Sequence, residues 1–322
     1  MMILANSHSV LNRHADALKL QQETVAAQRR VLPHDHPETL TTLNNLANSL
    51  AALNRHPEAV KLHEETLAIR RRVLPPDHTD VPQSLGNVAN SYAALNRHAD
   101  AFKLREETLA GQRRVLPPDH PHTLQCMNSL ATSYLALGRP AEALKLNEET
   151  LVARKRVLPP DHPHTLTSMV NLAQCLVQLD RGSEAIPLLD EAIAKARVNP
   201  AVNPRLIPLA FSQRWHHVRK TADPAGCRTT AEMWEMLNRT DAGGLHAAAR
   251  FRAVAAGVQA KAPGADAVKL ARDDADRAMQ WLHRAVQAGF RDAAHMKKDT
   301  DLDALRERDD FKKLLAKLEA KK

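Results

Sequence analysis

Three pairs of histidines, His34/His36, His120/His122 and His162/His164, present imidazoles at the HxH spacing found in zinc-binding loops. Zinc needs three or four ligands converging on one point. These pairs recur one per unit of a regular repeat, which in a stack of helices sets them about 10 Å apart. Each pair then lacks a third ligand. In Asp-His-Pro the Asp or His caps a helix and the Pro occupies its first turn, and this explains the residues without a metal. No metal site is expected.

Amides form a second set. Asn44, Gly86, Asn128 and Val170 occupy equivalent positions, followed by Asn45, Asn87, Ser129 and Asn171, and then by Asn48, Asn90, Thr132 and Gln174. Asn is unfavourable inside a helix because its side chain competes for the backbone. Recurrence there calls for a cause. An amide offers donors and an acceptor, so a ladder of amides can bond the backbone of an extended peptide, or it can tie neighbouring helices together. Asn44, Asn48, Asn87, Asn90, Asn128, Asn171 and Gln174 are the candidate peptide-binding residues.

Cations form the third set: Arg29-Arg30, Arg70-Arg71-Arg72, Arg113-Arg114 and Arg154-Lys155-Arg156. They close each second helix, where they complement its dipole. Stacked, they predict a solvated basic ridge able to meet acidic partners. Signatures of catalysis are missing: no GxSxG, P-loop, HExxH or paired-carboxylate motif occurs, and His216-His217 with Cys227 downstream has no recognisable spacing. The expectation is a non-enzyme without cofactor.

All three sets ride on one repeat. Leu32-Pro33-His34-Asp35-His36 returns as Leu74 to His78, Leu116 to His120 and Leu158 to His162, 42 residues apart each time. Each unit predicts two helices. Leu43, Leu46, Ala47, Leu50 and Leu53 recur at helical spacing in the first, which ends at Asn54, Asn96 or Gly138, residues that tolerate a left-handed backbone. Ala59, Leu62, Thr66, Leu67, Ile69 and Val73 mark the second, which closes at Pro75-Pro76. Neither helix buries its apolar stripe alone, but stacked units do.

Composition agrees. Of 322 residues, 43% are hydrophobic, only 3% are aromatic and 10 are Gly, which favours helix over sheet. Three scattered cysteines, Cys126, Cys175 and Cys227, predict no disulfide framework and a reducing compartment. No stretch is long and apolar enough to span a membrane, and no leader pattern opens the chain, so a cytoplasmic location is expected. Residues 1–200 carry 22 Lys/Arg against 21 Asp/Glu, and residues 201–322 carry 23 against 16, so +7 of the net +8 belongs to the C-terminal third.

The runs TLNNLA, EAVKLHEETL and RRRVLPPDH and their copies resemble the tetratricopeptide repeat, in the 42-residue variety of kinesin light chains, over about residues 3–197. The family's small position in the first helix falls on Ala47, Ala89, Ala131 and Ala173, and that of the second helix on Ala59, Ala101, Ala143 and Ala185. The aromatic of the first helix is kept at Tyr92 and Tyr134 and is Leu50 and Leu176 elsewhere. His63, Arg105, Asn147 and Leu189 stand where the second helix usually carries an aromatic, which predicts thinner packing. Pro82 stands where neighbouring units have Leu. The resemblance implies an all-α, right-handed superhelical solenoid of helix-turn-helix repeats. It divides into an array over 1–197 (units near 37–78, 79–120, 121–162 and 163–197, after a partial first unit), a linker with divergent helices over 198–239, and a helical hairpin with a C-terminal cap over 240–322.

The cap would bury Phe311, Leu314, Leu315 and Leu318 and leave Lys312, Lys313 and Lys317 in water. The segment from Trp281 through Leu315 resembles the end of repeat arrays attached to bacterial serine/threonine protein kinases, whose catalytic motifs this chain lacks. The resemblance implies protein or peptide partners bound in a groove lined by the first helices. Two alternatives follow: recruitment to a serine/threonine protein kinase encoded elsewhere, and polyanion binding by the basic C-terminal third. Nucleic acid is disfavoured, because few aromatics are available for base stacking.

Overall fold

The computed structural model describes residues 13–75 and 78–320. The opening of the partial first unit and Pro76 and Asp77 of the second turn lie outside them. Every described element is helical. Two compact units divide the chain, one through Pro160 and one from Asp161.

The first unit holds α1 (His14–Val31), α2 (Pro37–Ala52), α3 (His56–Val73), α4 (Asp80–Ala94), α5 (His98–Val115), α6 (Pro121–Ala136) and α7 (Pro140–Val157). The pairs α2/α3, α4/α5 and α6/α7 are the repeats. The turn chemistry sets their ends. Leu32, Leu74 and Leu116 leave the helix in extended backbone, with ψ of 150–151°, because the following proline excludes the helical conformation for its predecessor. His36 and His120 then cap α2 and α6, their Nδ1 atoms accepting from Glu38 N at 3.3 Å and His122 N at 3.2 Å. His78 Nδ1 accepts from Asp80 N at 3.1 Å, although Thr79 stands at the cap position of α4. The histidine just before the proline, His36 or His120, is therefore the cap, and Asp35 and Asp119 are not. Asn54, Asn96 and Gly138 adopt φ of 60°, 59° and 70°, the left-handed closure expected at the first helix.

Ala47, Ala89, Ala131, Ala59, Ala101 and Ala143 are fully buried, letting the paired helices approach closely. The thinner packing expected at the missing aromatics is corrected by the structure. His63 and Arg105 are buried and reach the first helix of the next repeat: His63 Nδ1 lies 2.9 Å from Ser91 Oγ, and Arg105 Nη1 donates to Ser133 Oγ at 2.5 Å. Polar bonds between repeats replace aromatic contacts within one.

His63 makes stability depend on pH. Burial lowers its pKa to about 4, whereas the unfolded chain titrates near 6.5. As pH falls between those values the unfolded state binds the proton first, so the contribution is whole above the upper value and is lost towards the lower. At pH 5 the loss is about 2 kcal/mol. Urea unfolding at pH 7 and pH 5 should show the wild type losing that much more than His63→Gln.

The second unit begins with α8 (Pro163–Gln178) and α9 (Gly182–Ala196), followed by α10 (Leu206–Lys220) and α11 (Pro224–Glu235). Next come α12 (Ala242–Gln259) and α13 (Ala265–Gln287), and last α14 (Ala293–Lys298), a 3-10 turn (Thr300–Leu305) and α15 (Asp309–Glu319). His162 caps α8 through its Nδ1, and Asp180 at φ 58° precedes α9. The opening of the expected 198–239 linker region runs into the first turn of α10, where Pro208 needs no amide partner.

Aromatics concentrate in this unit. Trp234 meets Phe211 and Phe251 edge-on at 5.0 and 5.3 Å, and Trp215 meets Phe251 at 4.6 Å, joining α10, α11 and α12. Arg214 is buried, pairs with Asp190 at 2.7 Å and donates to Gly226 O at 3.0 Å, tying α9 to α11 through α10. Phe311, Leu314, Leu315 and Leu318 are buried against the alanines of α12 and α13, while Lys312, Lys313 and Lys317 are exposed, as the cap requires. Among the described residues no helix is long and apolar enough to cross a membrane.

Candidate functional site

The amide positions divide between the units. In the first unit Asn48 on α2 and Asn90 on α4 are exposed, Asn87 and Asn128 are half-buried, and Asn44 is buried. Asn87 Nδ2 donates to Asn44 Oδ1 at 2.7 Å, joining α4 to α2. These two candidates hold adjacent first helices together, and burial takes Asn44 out of reach of a ligand. The offset of one position, Asn44 to Asn87, follows from the stagger of one first helix against the next. In the second unit Asn171 and Gln174 are half-buried on α8, and Asn171 is engaged within the fold.

Around Asn90 the structure assembles what the sequence did not single out. Arg105 reaches from α5 between α4 and α6. Its Nη2 donates to Asn90 Oδ1 at 3.0 Å, and its Nη1 donates to Ser129 O at 3.0 Å in addition to Ser133 Oγ. Beside it lies a cleft of about 180 Å³ lined by Gly86, Asn87, Asn90, Arg105, Gln112 and Ser129 among others. A second hollow of about 290 Å³ shares Pro82, Gln83, Gln112 and His122 with it.

The second repeat differs from the repeats on either side of it at two positions that line this space. Gly86 stands where its neighbours carry Asn44 and Asn128, and Gln112 stands where they carry Arg70 and Arg154. Those arginines fill their interiors: Arg70 donates to Ser84 Oγ at 2.8 Å and pairs with Asp80 at 3.3 Å, and Arg154 lies 3.5 Å from Leu124 O. Gln112 is shorter, and its Oε1 is buried without a hydrogen-bond partner, as is Arg105 Nε. Burial lowers the Arg105 pKa. Among the described residues no carboxylate pairs with its guanidinium. A buried donor and a buried acceptor, both unmet, line one cleft, and each costs free energy until something satisfies it. The signal in the sequence was the loss of a side chain at Gly86 between Asn44 and Asn128 at the equivalent positions of the adjoining repeats.

The basic ridge is partly neutralised. Arg29 pairs with Glu65 at 3.2 Å, Arg71 with Glu107 at 2.5 Å and Arg113 with Glu149 at 3.1 Å, each bridging one second helix to the next. The arginines of the C-terminal third are also drawn into ion pairs, among them Arg219, Arg250, Arg252, Arg306 and Arg308. The three cysteines are buried thiols, and burial pushes Cys126 and Cys227 up to about 12.

The Tetratricopeptide repeat family model matches residues 1–72, 80–156 and 136–197. A comparison with curated proteins found no match. Among solved structures, a Podosopora anserina kinesin light chain-type protein with nearly identical TPR-like repeats is 29% identical, with a TM-score of 0.54 over 62% of this chain and 95% of that one. BtubC from P. vanneervenii is 17% identical, with a TM-score of 0.55 over 63% of this chain and 80% of that one. A Rap protein solved with Competence and Sporulation Factor shares the fold at 11% identity, with a TM-score of 0.53 over 89% of this chain and 75% of that one. The repeated helical hairpins, their small-residue contacts and the matched residues agree, and the chain belongs to the tetratricopeptide repeat family.

Proposed function

We propose that this protein is a non-catalytic scaffold that binds an extended or helical protein segment along the first helices of its repeats. In the first unit, Asn48, Asn90 and Thr132 offer polar atoms along α2, α4 and α6, and the cleft at Gly86 anchors one residue of the segment. Members of the repeat family generally mediate protein–protein interaction. The observation that carries the site is the pair of unmet buried atoms, Gln112 Oε1 and Arg105 Nε, lining a cleft that a missing side chain opens.

Gly86→Asn tests this directly. It restores the residue of the neighbouring repeats, and a Cβ at this position meets nothing within 4 Å, so the fold tolerates it. Peptides selected from a random displayed library on the wild-type chain should bind Gly86→Asn at least 10-fold more weakly, and Asn48→Ala by a smaller factor. Equal affinity for wild type and both variants would show that the first-helix face is not the binding site.

A further inference from the structure

One cluster in the second unit has no part in the proposed groove. His246 on α12, His295 on α14 and Asp299 at its end bring two imidazole nitrogens and a carboxylate oxygen within 4.8 Å of one another. Local chemistry fixes each. Gly289, at φ 106°, turns the chain after α13 so that the Phe290 ring stacks on His246 at 4.2 Å and 9°, fixing the imidazole plane. Asp292 Oδ1 accepts from His295 N at 2.8 Å and so starts α14, and the i, i+4 spacing puts His295 and Asp299 on one face. Asp299 divides its oxygens: Oδ1 accepts from Asp301 N at 3.0 Å as the cap of the 3-10 turn, whereas Oδ2 lies 3.6 Å from His295 Nε2.

We propose that His246 Nε2, His295 Nε2 and Asp299 Oδ2 bind a divalent transition-metal ion of the zinc class, with water completing the coordination. Two features point to a ligand. His246 is 5% exposed, and its Nε2 is buried with no hydrogen-bond partner. Asp299 Oδ2 is likewise buried and accepts no aligned hydrogen bond. Two imidazoles and one carboxylate suit zinc and its neighbours better than calcium or magnesium. Metal–ligand bonds of about 2.0–2.1 Å would bring the donor atoms to about 3.3 Å from one another. His295, half-exposed on a short helix, can supply that contraction by turning its ring.

Arg250 is the competitor. Its Nε lies 2.9 Å from Asp299 Oδ2, while its Nη2 lies 2.6 Å from Asp301 Oδ2. Asp301 also pairs with Arg219 at 2.6 Å. When a metal takes Asp299 Oδ2, Arg250 keeps Asp301, so no guanidinium is stranded. The bound ion would clamp α14 to α12 behind the terminal cap.

The test uses the full chain, stripped with chelator and titrated with Co²⁺, whose visible absorption reports coordination number and nitrogen ligation. A chain with 17 histidines can also bind metal adventitiously. The comparison is therefore among the wild type, His295→Ala, which alters an exposed side chain, and Asp299→Asn, which keeps the capping oxygen. One tight cobalt per wild-type chain is expected, displaced by Zn²⁺, weakened at least 10-fold in each variant and accompanied by a rise in Tm that both variants lose. An unchanged tight site in both variants, or no stoichiometric site in the wild type, overturns the assignment.

Discussion

Replacing Arg252 with Met should cost the chain about 3–5 kcal/mol, the penalty of stranding a buried charge. Arg252 is fully buried. Its Nε and Nη2 grip both oxygens of Glu235 at 2.7 Å each, and its Nη1 donates to Asp274 at 2.7 Å. Trp281 Nε1 donates to Glu235 Oε1 at 2.7 Å. One guanidinium thus joins α11, α12 and α13. Burial opposes ionisation of Glu235, and the Arg252 bonds overcome it, leaving its pKa low. Asp274 is more deeply enclosed, and burial wins there despite Arg252, so its pKa is raised. Methionine fills most of the arginine's volume and supplies no charge, leaving Asp274 buried without its hydrogen bond and with only Arg228, 3.8 Å away, as a neighbouring cation. Arg252→Lys should fall between, because an ammonium cannot span two carboxylates in a fork. Urea unfolding followed by tryptophan fluorescence measures all of these. Adding Asp274→Leu to Arg252→Met should restore part of the loss, since removing both partners of a buried pair is far milder than removing one. A loss under about 1 kcal/mol for Arg252→Met would mean that the cluster is already solvated.

That network was illegible in the sequence. Asp274 sits in a strongly charged helical run where no spacing distinguishes a buried residue from a solvated one, Arg252 has Arg250 two residues before it in an alanine-rich helix, and Glu235 is distant in sequence. The repeated turns are the opposite case. Proline after Leu74 or Leu116, an imidazole before the next helix and an Asn or Gly after the first one each act over a few residues, so their physics is local and visible. The alanines at the helix crossings follow from the same periodicity. The candidate site lies between these limits. The amide columns were visible, but which amides face solvent depends on how one first helix is staggered against the next, and that stagger pairs Asn44 with Asn87. The exchange of aromatics for His63 and Arg105 was visible as a departure. Its consequence was not, because Ser91 and Ser133 are ordinary small residues until the stack places them opposite.

The cap is where a local pattern and a tertiary consequence meet, and Phe311→Ala should cost about 3–5 kcal/mol, in the range for truncating a buried aromatic. Phe311 is 1% exposed and packs with Leu314, Leu315 and Leu318 against Ala249, Ala253, Ala256 and Ala278. Those alanines explain the size of the effect. The α12 face of the hairpin presents alanines, and α15 adds Phe311 and three leucines to the Met279 and Leu282 of α13 and to Met296, Leu302 and Leu305 of the segment between, so that the core closes. A repeat stack must end on an element with one apolar and one polar face, and α15 supplies it, with Lys312, Lys313 and Lys317 in water. Lys317→Ala should therefore change stability by less than about 0.5 kcal/mol. Hydrogen exchange locates the loss: in Phe311→Ala, amides of α12 and α13 should exchange faster together with those of α15, because the helices share one cluster. If only α15 were to lose protection, the helix would be an appendage, and the α12/α13 hairpin would have to be stable with its alanine face open to water.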